Sequence, residues 1–198
     1  MGVDLSELVP KEKKLIRDFS GQTVAVDAYN TIYQFLSIIR QPDGTPLMDS
    51  KKRITSHLSG LLYRNLNLLE AGIKPIYVFD GKPHELKKGT IEARSAIKEK
   101  AQIAWDAALA EGDMEKAKMK AQQTSRLTRE MVADSKTLLG LIGIPYVQAP
   151  MDGEGEAAFL VQKGYATTVA SHDFDSLLFG APGLVRNLTI TGKRKLSR

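Results

Sequence analysis

Three short runs rich in β-branched and aromatic residues each deliver an acid at or just past their end. Thr23-Val24-Ala25-Val26 stops at Asp27, Ile76-Tyr77-Val78-Phe79 stops at Asp80, and Thr167-Thr168-Val169-Ala170 leads through Ser171 and His172 to Asp173. Two further acidic positions follow: Asp152-Gly153-Glu154-Gly155-Glu156 opens onto the apolar Ala157-Ala158-Phe159-Leu160, and Asp175 stands two residues after Asp173. Asp27, Asp80, Asp152, Glu154, Asp173 and Asp175 together carry a formal charge of −6. Two such charges about 4 Å apart repel by roughly 4 kcal/mol at an effective dielectric near 20, so the set would not stay ionised together without cations. The chain has no cysteine and only three scattered histidines, which leaves oxygen as the donor on offer and makes the expected ion a hard one: Mg²⁺, with Mn²⁺ as a substitute. Two such ions would bring −6 to −2, the arrangement of a two-metal phosphodiester-cleaving site.

The elements that must position these acids are legible as strands alternating with helical patterns, which indicates an α/β fold with a central, mostly parallel, twisted sheet flanked by helices. Ligands of such sheets bind outside the carboxyl ends of the strands, so acids far apart in the chain can meet in one crevice. Residues 30–39 read as a helix opening straight after the first strand, and 55–70 as a second, with Leu58, Leu61, Leu62, Leu66 and Leu69 as its core face. Between them, Pro42, Gly44 and Pro46 mark a loop over 41–50. From 84 to 144 there is no proline, and Ala, Lys, Glu and Gln dominate, interrupted by Gly89 and Gly112; two or three long helices are expected, the first part standing away from the core. Gly143-Ile144-Pro145-Tyr146 reads as a further strand, with Asp152 to Glu156 starting the helix after it. Acids in a first helical turn face unsatisfied N–H groups, which favours their charge; a plain N-cap is the alternative use of the same residues. Asp173 and Asp175 are expected in one loop, with Phe174 turned into the core.

Charge supports a polyanionic partner. There are 28 Lys and Arg against 23 Asp and Glu, and with the six site acids set aside the remaining 17 leave a balance of +11. A disulfide scaffold is excluded, and with so few nitrogen and sulfur ligands a structural zinc site is close to excluded. No run approaches 18 apolar residues and no basic, apolar leader pattern opens the chain, so an intracellular location is expected.

With these residues assembled, the sequence resembles the flap endonuclease family of structure-specific 5′ nucleases, most closely its archaeal members. The segments that carry the resemblance are 24–28, 32–36, 72–83, 143–146, 152–154 and 173–180, spread over essentially the whole chain. The resemblance implies a central sheet of the 5′-nuclease, PIN-like type with a helical arch inserted in it. It implies a 5′-flap endonuclease and 5′ exonuclease that removes single-stranded flaps from branched DNA in replication and repair, using two Mg²⁺ ions held by the six acids. The family usually has Glu where this chain has Asp152, and Glu156 could contribute in its place. Lys87 and Arg94 match arch bases at the scissile phosphate, and Tyr33 matches the residue on which a nearby base stacks. Tyr33, Arg40, Lys87, Arg94 and Lys98 form the expected DNA-contacting set. Lys87, Ile91, Arg94 and Lys98 also fall at helical spacing, which puts three bases on one face.

The expected division is a nuclease region over 1–98, holding the first strands and the start of the arch, and an internal region over 99–198 with the rest of the arch and the remaining acidic strands. Family members continue beyond position 198 with another metal-binding Asp, a duplex-gripping motif and a tail for the sliding clamp, so those parts are expected to be absent, and the location expected for an archaeal member is cytoplasmic and nucleoid-associated. Gly2 formally fits a myristoylation pattern, but the family reading is a small residue near the site. His57, His84 and His172 receive no defended role beyond His172 standing beside Asp173. Two other readings remain: a phosphatase built on Asp173-Phe174-Asp175-Ser176, disfavoured because only 23 residues follow Asp175, and a DNA-binding module without catalysis, which leaves the six acids unexplained.

Overall fold

The structure is a computed structural model and describes residues 5–82 and 88–188, the side chains of 88–95 excepted. Lys87 lies outside the described residues, as does the side chain of Arg94. Among the described residues two compact units emerge: one from 5–28, 64–80 and 144–188, the other from 29–63, 81–82 and 88–143.

In chain order the elements are β1 (Thr23–Asp27), α1 (Ala28–Ile38), α2 (Ser56–Glu70), β2 (Lys74–Phe79), α3 (Lys88–Ala110), α4 (Met114–Gln122), α5 (Arg129–Leu141), β3 (Tyr146–Gln148), α6 (Gly153–Gln162), β4 (Thr168–Ala170), α7 (Asp175–Leu178) and β5 (Leu184–Val185), preceded by a 3-10 turn at Ile16–Phe19. Among the described residues the five strands form one sheet in the order β3-β2-β1-β4-β5, parallel throughout. The chain builds outward from β1 to β2 and β3, then returns to lay β4 on the other side of β1. That reversal makes the carboxyl ends of β1 and β4 a topological switch point, where the crevice of an open sheet lies.

The first unit holds the sheet. Ala25, Val78 and Val169 from three adjacent strands are fully buried against Ala157, Ala158, Leu160 and Val161 of α6. The small residues on α6 let the helix approach the sheet closely, and this fixes where its N-terminus, with Glu154, comes to rest. The pairing Val24↔Thr168, Ala25↔Val169, Val26↔Ala170 sets β4 against β1, and Ala25↔Ile76 through Asp27↔Val78 sets β2 on its other side.

The second unit is helical. Gly112, at φ +76°, makes the turn between α3 and α4, and Asp113 caps α4 by accepting from the Lys116 N–H at 3.0 Å. Thr128 does the same for α5 toward the Met131 N–H at 3.3 Å. Gly60 leaves room for the Phe35 ring: a Cβ there would stand 2.3 Å from it.

Three expectations need correction. The buried stripe of α2 runs through His57, Leu61, Arg64, Asn65 and Leu68, whereas Leu66 and Leu69 are exposed. A count of apolar residues overlooks a stripe that includes polar ones. Here Asn65 is satisfied by accepting from the Tyr77 hydroxyl at 3.2 Å. The strand anticipated at Gly143 begins at Tyr146, because Gly143 turns at φ +73° and Pro145 has no N–H to give the ladder. Finally, Asp175 sits in the first turn of α7 rather than in a loop shared with Asp173.

Candidate active site

All six candidate carboxylates belong to the sheet unit. Asp27 ends β1 and is buried; Asp80 follows β2; Glu154 lies in the first turn of α6; Asp173 follows β4 in a loop, and Asp175 opens α7. The charges of Asp27, Asp175, Asp173 and Asp80 all act on Glu154. Five acids from four separate stretches of chain thus share one electrostatic environment, as the strand ends require. Asp152 is the N-cap of α6 with extended backbone and no capping bond from its side chain, and it is not among the charges acting on Glu154.

The burial of Glu154, followed by the repulsion of those four neighbours, pushes its carboxyl up to about 8 from an ordinary 4.5. Charge on Glu154 is thus disfavoured until something positive meets it, and the donors around it are all oxygen. Both properties fit a hard divalent cation. Among the described residues no three acidic or imidazole side chains close tightly enough to hold an ion by themselves. Mg²⁺ usually takes one or two carboxylates and keeps several waters, so an open, shared shell suits it. Asp27, Asp80, Glu154, Asp173 and Asp175 are the residues that could contribute.

A measurable pH dependence follows. Because the folded-state value of Glu154 lies above its unfolded value, the folded chain holds this proton where the unfolded chain has lost it. Without cation, stability should therefore fall as pH rises from about 4.5 to about 8 and level off above. A cation competes with the same proton, so the rise in Tm caused by Mg²⁺ should be larger at pH 8.5 than at pH 6. At a hundredfold excess over Kd, binding stabilises by about 2.7 kcal/mol, or roughly 5–10 °C at this chain length. Melting curves with and without Mg²⁺ at the two pH values check this. Glu154→Gln should flatten both dependences, and an equal Mg²⁺ effect at both pH values would detach Glu154 from the cation.

Three residues to which the sequence analysis gives no role hold these acids in place, two by bonding a carboxylate and one by bonding the backbone of Asp80. The Ser171 hydroxyl donates to Asp27 Oδ2 at 3.1 Å. The Gly153 N–H, at the start of α6, donates to Asp80 Oδ1 at 2.7 Å. The Gln148 amide donates to the Asp80 carbonyl at 2.6 Å and to the Phe79 carbonyl at 3.3 Å, fixing the backbone where β2 ends. The available signal was positional: Ser171 and Gln148 lie at or just past the ends of strands that neighbour an acid-bearing one. His172 is held below its usual range by burial and then by Arg186, and its Nε2 is buried without a partner. Phe174 is buried as expected, and the Arg186 guanidinium lies 4.2 Å from its ring centroid.

Tyr33, Arg40 and Lys98 lie in the helical unit. Lys98 Nζ stands 4.9 Å from the Tyr33 ring centroid and 3.4 Å from its hydroxyl. Arg40 donates to the Leu36 carbonyl at 3.0 Å, the Gly44 carbonyl at 2.8 Å and Ser125 Oγ at 2.9 Å, and its guanidinium is 5.9 Å from the Trp105 ring centroid. The guanidinium thus ties together the end of α1, the loop after it and the segment between α4 and α5. No helix among the described residues is long and apolar enough to cross a membrane.

Comparison with known proteins agrees with this geometry. Residues 1–101 match the XPG N-terminal domain and residues 143–198 the XPG I-region. The chain is 57% identical over 196 residues to flap endonuclease 1 of Pyrococcus abyssi, a match covering 99% of this chain and 57% of that protein. The fold is similar to flap endonuclease-1 from Methanococcus jannaschii, with a TM-score of 0.73 at 45% identity, covering 97% of this chain and 61% of that one. It is also similar to the catalytic core of Rad2 in complex with DNA substrate, with a TM-score of 0.63 at 30% identity, covering 87% of this chain and 45% of that one. The chain spans 57% of the length of its Pyrococcus abyssi relative. With both signature regions matched and the parallel sheet in place, the chain belongs to the XPG family.

Proposed function

We propose that the chain is the nuclease portion of a structure-specific 5′-flap endonuclease and 5′ exonuclease, acting on branched DNA in replication and repair. The observation that carries this reading is the gathering of Asp27, Asp80, Glu154, Asp173 and Asp175 at strand ends and helix starts of one parallel sheet unit, close enough for the other four to act on Glu154. Its similarity to flap endonuclease 1 of Pyrococcus abyssi supplies the substrate class.

In this reading Asp27, Asp80, Glu154, Asp173 and Asp175 would hold two Mg²⁺ ions, with Mn²⁺ able to replace them, while Asp152, which is not among the charges acting on Glu154, stands beside them at the N-cap of α6. When bound, such ions neutralise the phosphate and ease the loss of a proton from water at neutral pH. The reaction needs no serine, cysteine or histidine nucleophile. Water adds to phosphorus, the P–O3′ bond breaks, the 5′-phosphate stays with the duplex product and the released strand ends in a 3′-hydroxyl. Lys87 and Arg94 would supply positive charge to the phosphate as it gains negative charge in the reaction. Tyr33, Arg40 and Lys98 contact the strand. Regions 1–98 and 99–198 both contribute acids, so neither is sufficient alone.

Tyr33→Ala should weaken flap binding modestly. Base stacking on an aromatic ring contributes roughly 1–3 kcal/mol, and the 36% exposure of this ring places it at the lower end, about fivefold in Kd. Fluorescence titration of a labelled flap substrate measures it; an unchanged Kd would remove Tyr33 from the binding surface. The experiment for the function itself compares Mg²⁺-dependent cleavage of a 5′ flap, a plain single strand and a phosphomonoester. Flap cleavage ahead of the other two supports the proposal. Preference for the monoester would indicate a phosphatase, and binding without any cleavage a DNA-binding module.

A further inference from the structure

Ser171 occupies the switch point of the sheet. The ladder between β1 and β4 ends at Val26↔Ala170, so the next residues in register are Asp27 and Ser171. In a parallel pair, register partners point to the same face, which carries the hydroxyl toward the carboxylate rather than away from it. Both residues are buried, at 5% and 6% exposure.

The hydroxyl is engaged on both sides. It donates to Asp27 Oδ2 at 3.1 Å and accepts from the Asp173 N–H at 3.3 Å. The Ser171 backbone is held in turn, its N–H donating to the Val185 carbonyl of β5 at 3.3 Å. One oxygen therefore ties the carboxylate ending β1 to the backbone of the acid that follows β4.

Resting on the metal reading proposed above, we propose that Ser171 is a positioning residue for the cation site, orienting Asp27 and setting the backbone of Asp173 through a single hydroxyl. A neutral donor suits this place. Lys or Arg would orient Asp27 equally well but would cancel the charge that a cation must meet. Ala would leave Asp27 without this donor and release the Asp173 N–H. Thr keeps the hydroxyl and adds one methyl group. Residues that orient the ligands of a metal typically change metal affinity or activity by 10–100-fold when they are lost.

The test compares the parent chain, Ser171→Ala and Ser171→Thr. Mn²⁺ affinity is measured by isothermal titration, the apo fold by far-UV circular dichroism, and single-turnover flap cleavage as a function of Mg²⁺ concentration. Ser171→Ala should keep the parent spectrum, weaken Mn²⁺ binding by about 10–100-fold and move the Mg²⁺ midpoint of cleavage upward by a similar factor. Saturating Mg²⁺ should restore much of the rate, and Ser171→Thr should lie within about threefold of the parent. A general packing defect would instead lower the maximal rate without shifting the midpoint. Parent-like Mn²⁺ affinity in Ser171→Ala overturns the proposal, and so does Ser171→Thr failing as badly as Ser171→Ala. A parent that binds Mn²⁺ without cutting DNA would overturn the nuclease reading while the Mn²⁺ titrations still decide the role of Ser171. A parent that binds no divalent cation overturns both.

Discussion

Asp175→Asn is expected to slow single-turnover cleavage of a 5′ flap by about 10³-fold while leaving flap affinity within about threefold when both are measured at the same Mg²⁺ concentration. Asp175 opens α7, and its charge is one of those that act on Glu154. Asn preserves the shape of the side chain and its ability to sit at a helix start, so the loop from Ser171 to Asp175 should keep its path. What it removes is one negative charge from a set whose proposed task is to concentrate divalent ions. Cations of this kind supply several kcal/mol of charge stabilisation in the transition state, and each 1.36 kcal/mol is a factor of ten in rate. Removing an acid near a polyanion does not weaken ground-state attraction, which is why rate and affinity should separate. Quench-flow rates and a binding titration on the same labelled flap check the prediction. A rate near that of the parent would remove Asp175 from the ligand set.

Arg94→Ala carries the second large effect: a rate loss of about 10²-fold or more with a much smaller change in Kd. A cation fixed at the scissile phosphate acts mainly on charge that develops during the reaction, so its loss appears in the chemical step. The guanidinium presents a planar fork matched to phosphate oxygens, so Arg94→Lys should recover only part of the rate. Lys87→Ala should behave like Arg94→Ala. The motivating observation is in the sequence, where Lys87, Arg94 and Lys98 recur at helical spacing, and the backbone of α3 (Lys88–Ala110) is helical. Equal losses in rate and affinity would instead mark Arg94 as a general phosphate anchor.

The strands and their acids were legible because the inner strands β1, β2 and β4, mostly buried, write themselves as short apolar runs. Asp27, Asp80 and Asp173 could be placed at strand ends from those runs alone. The convergence on Glu154 was foreseeable in kind, since open sheets gather ligands at that edge. Less legible was everything decided by backbone register. Ser171 matters geometrically because β4 pairs with β1 at Val26↔Ala170, a nonlocal fact that no local pattern encodes. Gln148 was overlooked for the same reason, as its amide reaches carbonyls on the neighbouring strand. The buried face of α2 was misassigned because Arg64 and Asn65 lie on it, and hydrophobic periodicity counts neither. Arg40 illustrates a different limit. Its bonds to the Leu36 and Gly44 carbonyls and to Ser125 tie together segments distant in the chain, which the residue type alone cannot announce.

The central claim is that the carboxylates gathered around Glu154 act through divalent cations to hydrolyse a phosphodiester. The most direct measurement is product analysis of a 5′-flap substrate labelled at both ends, incubated with the chain in Mg²⁺ and, in parallel, in chelator. The account predicts cleavage only in Mg²⁺, with a 5′-phosphate on the duplex product and a 3′-hydroxyl on the released strand. Cleavage that persists in chelator, or products with the phosphate on the 3′ side, would contradict it.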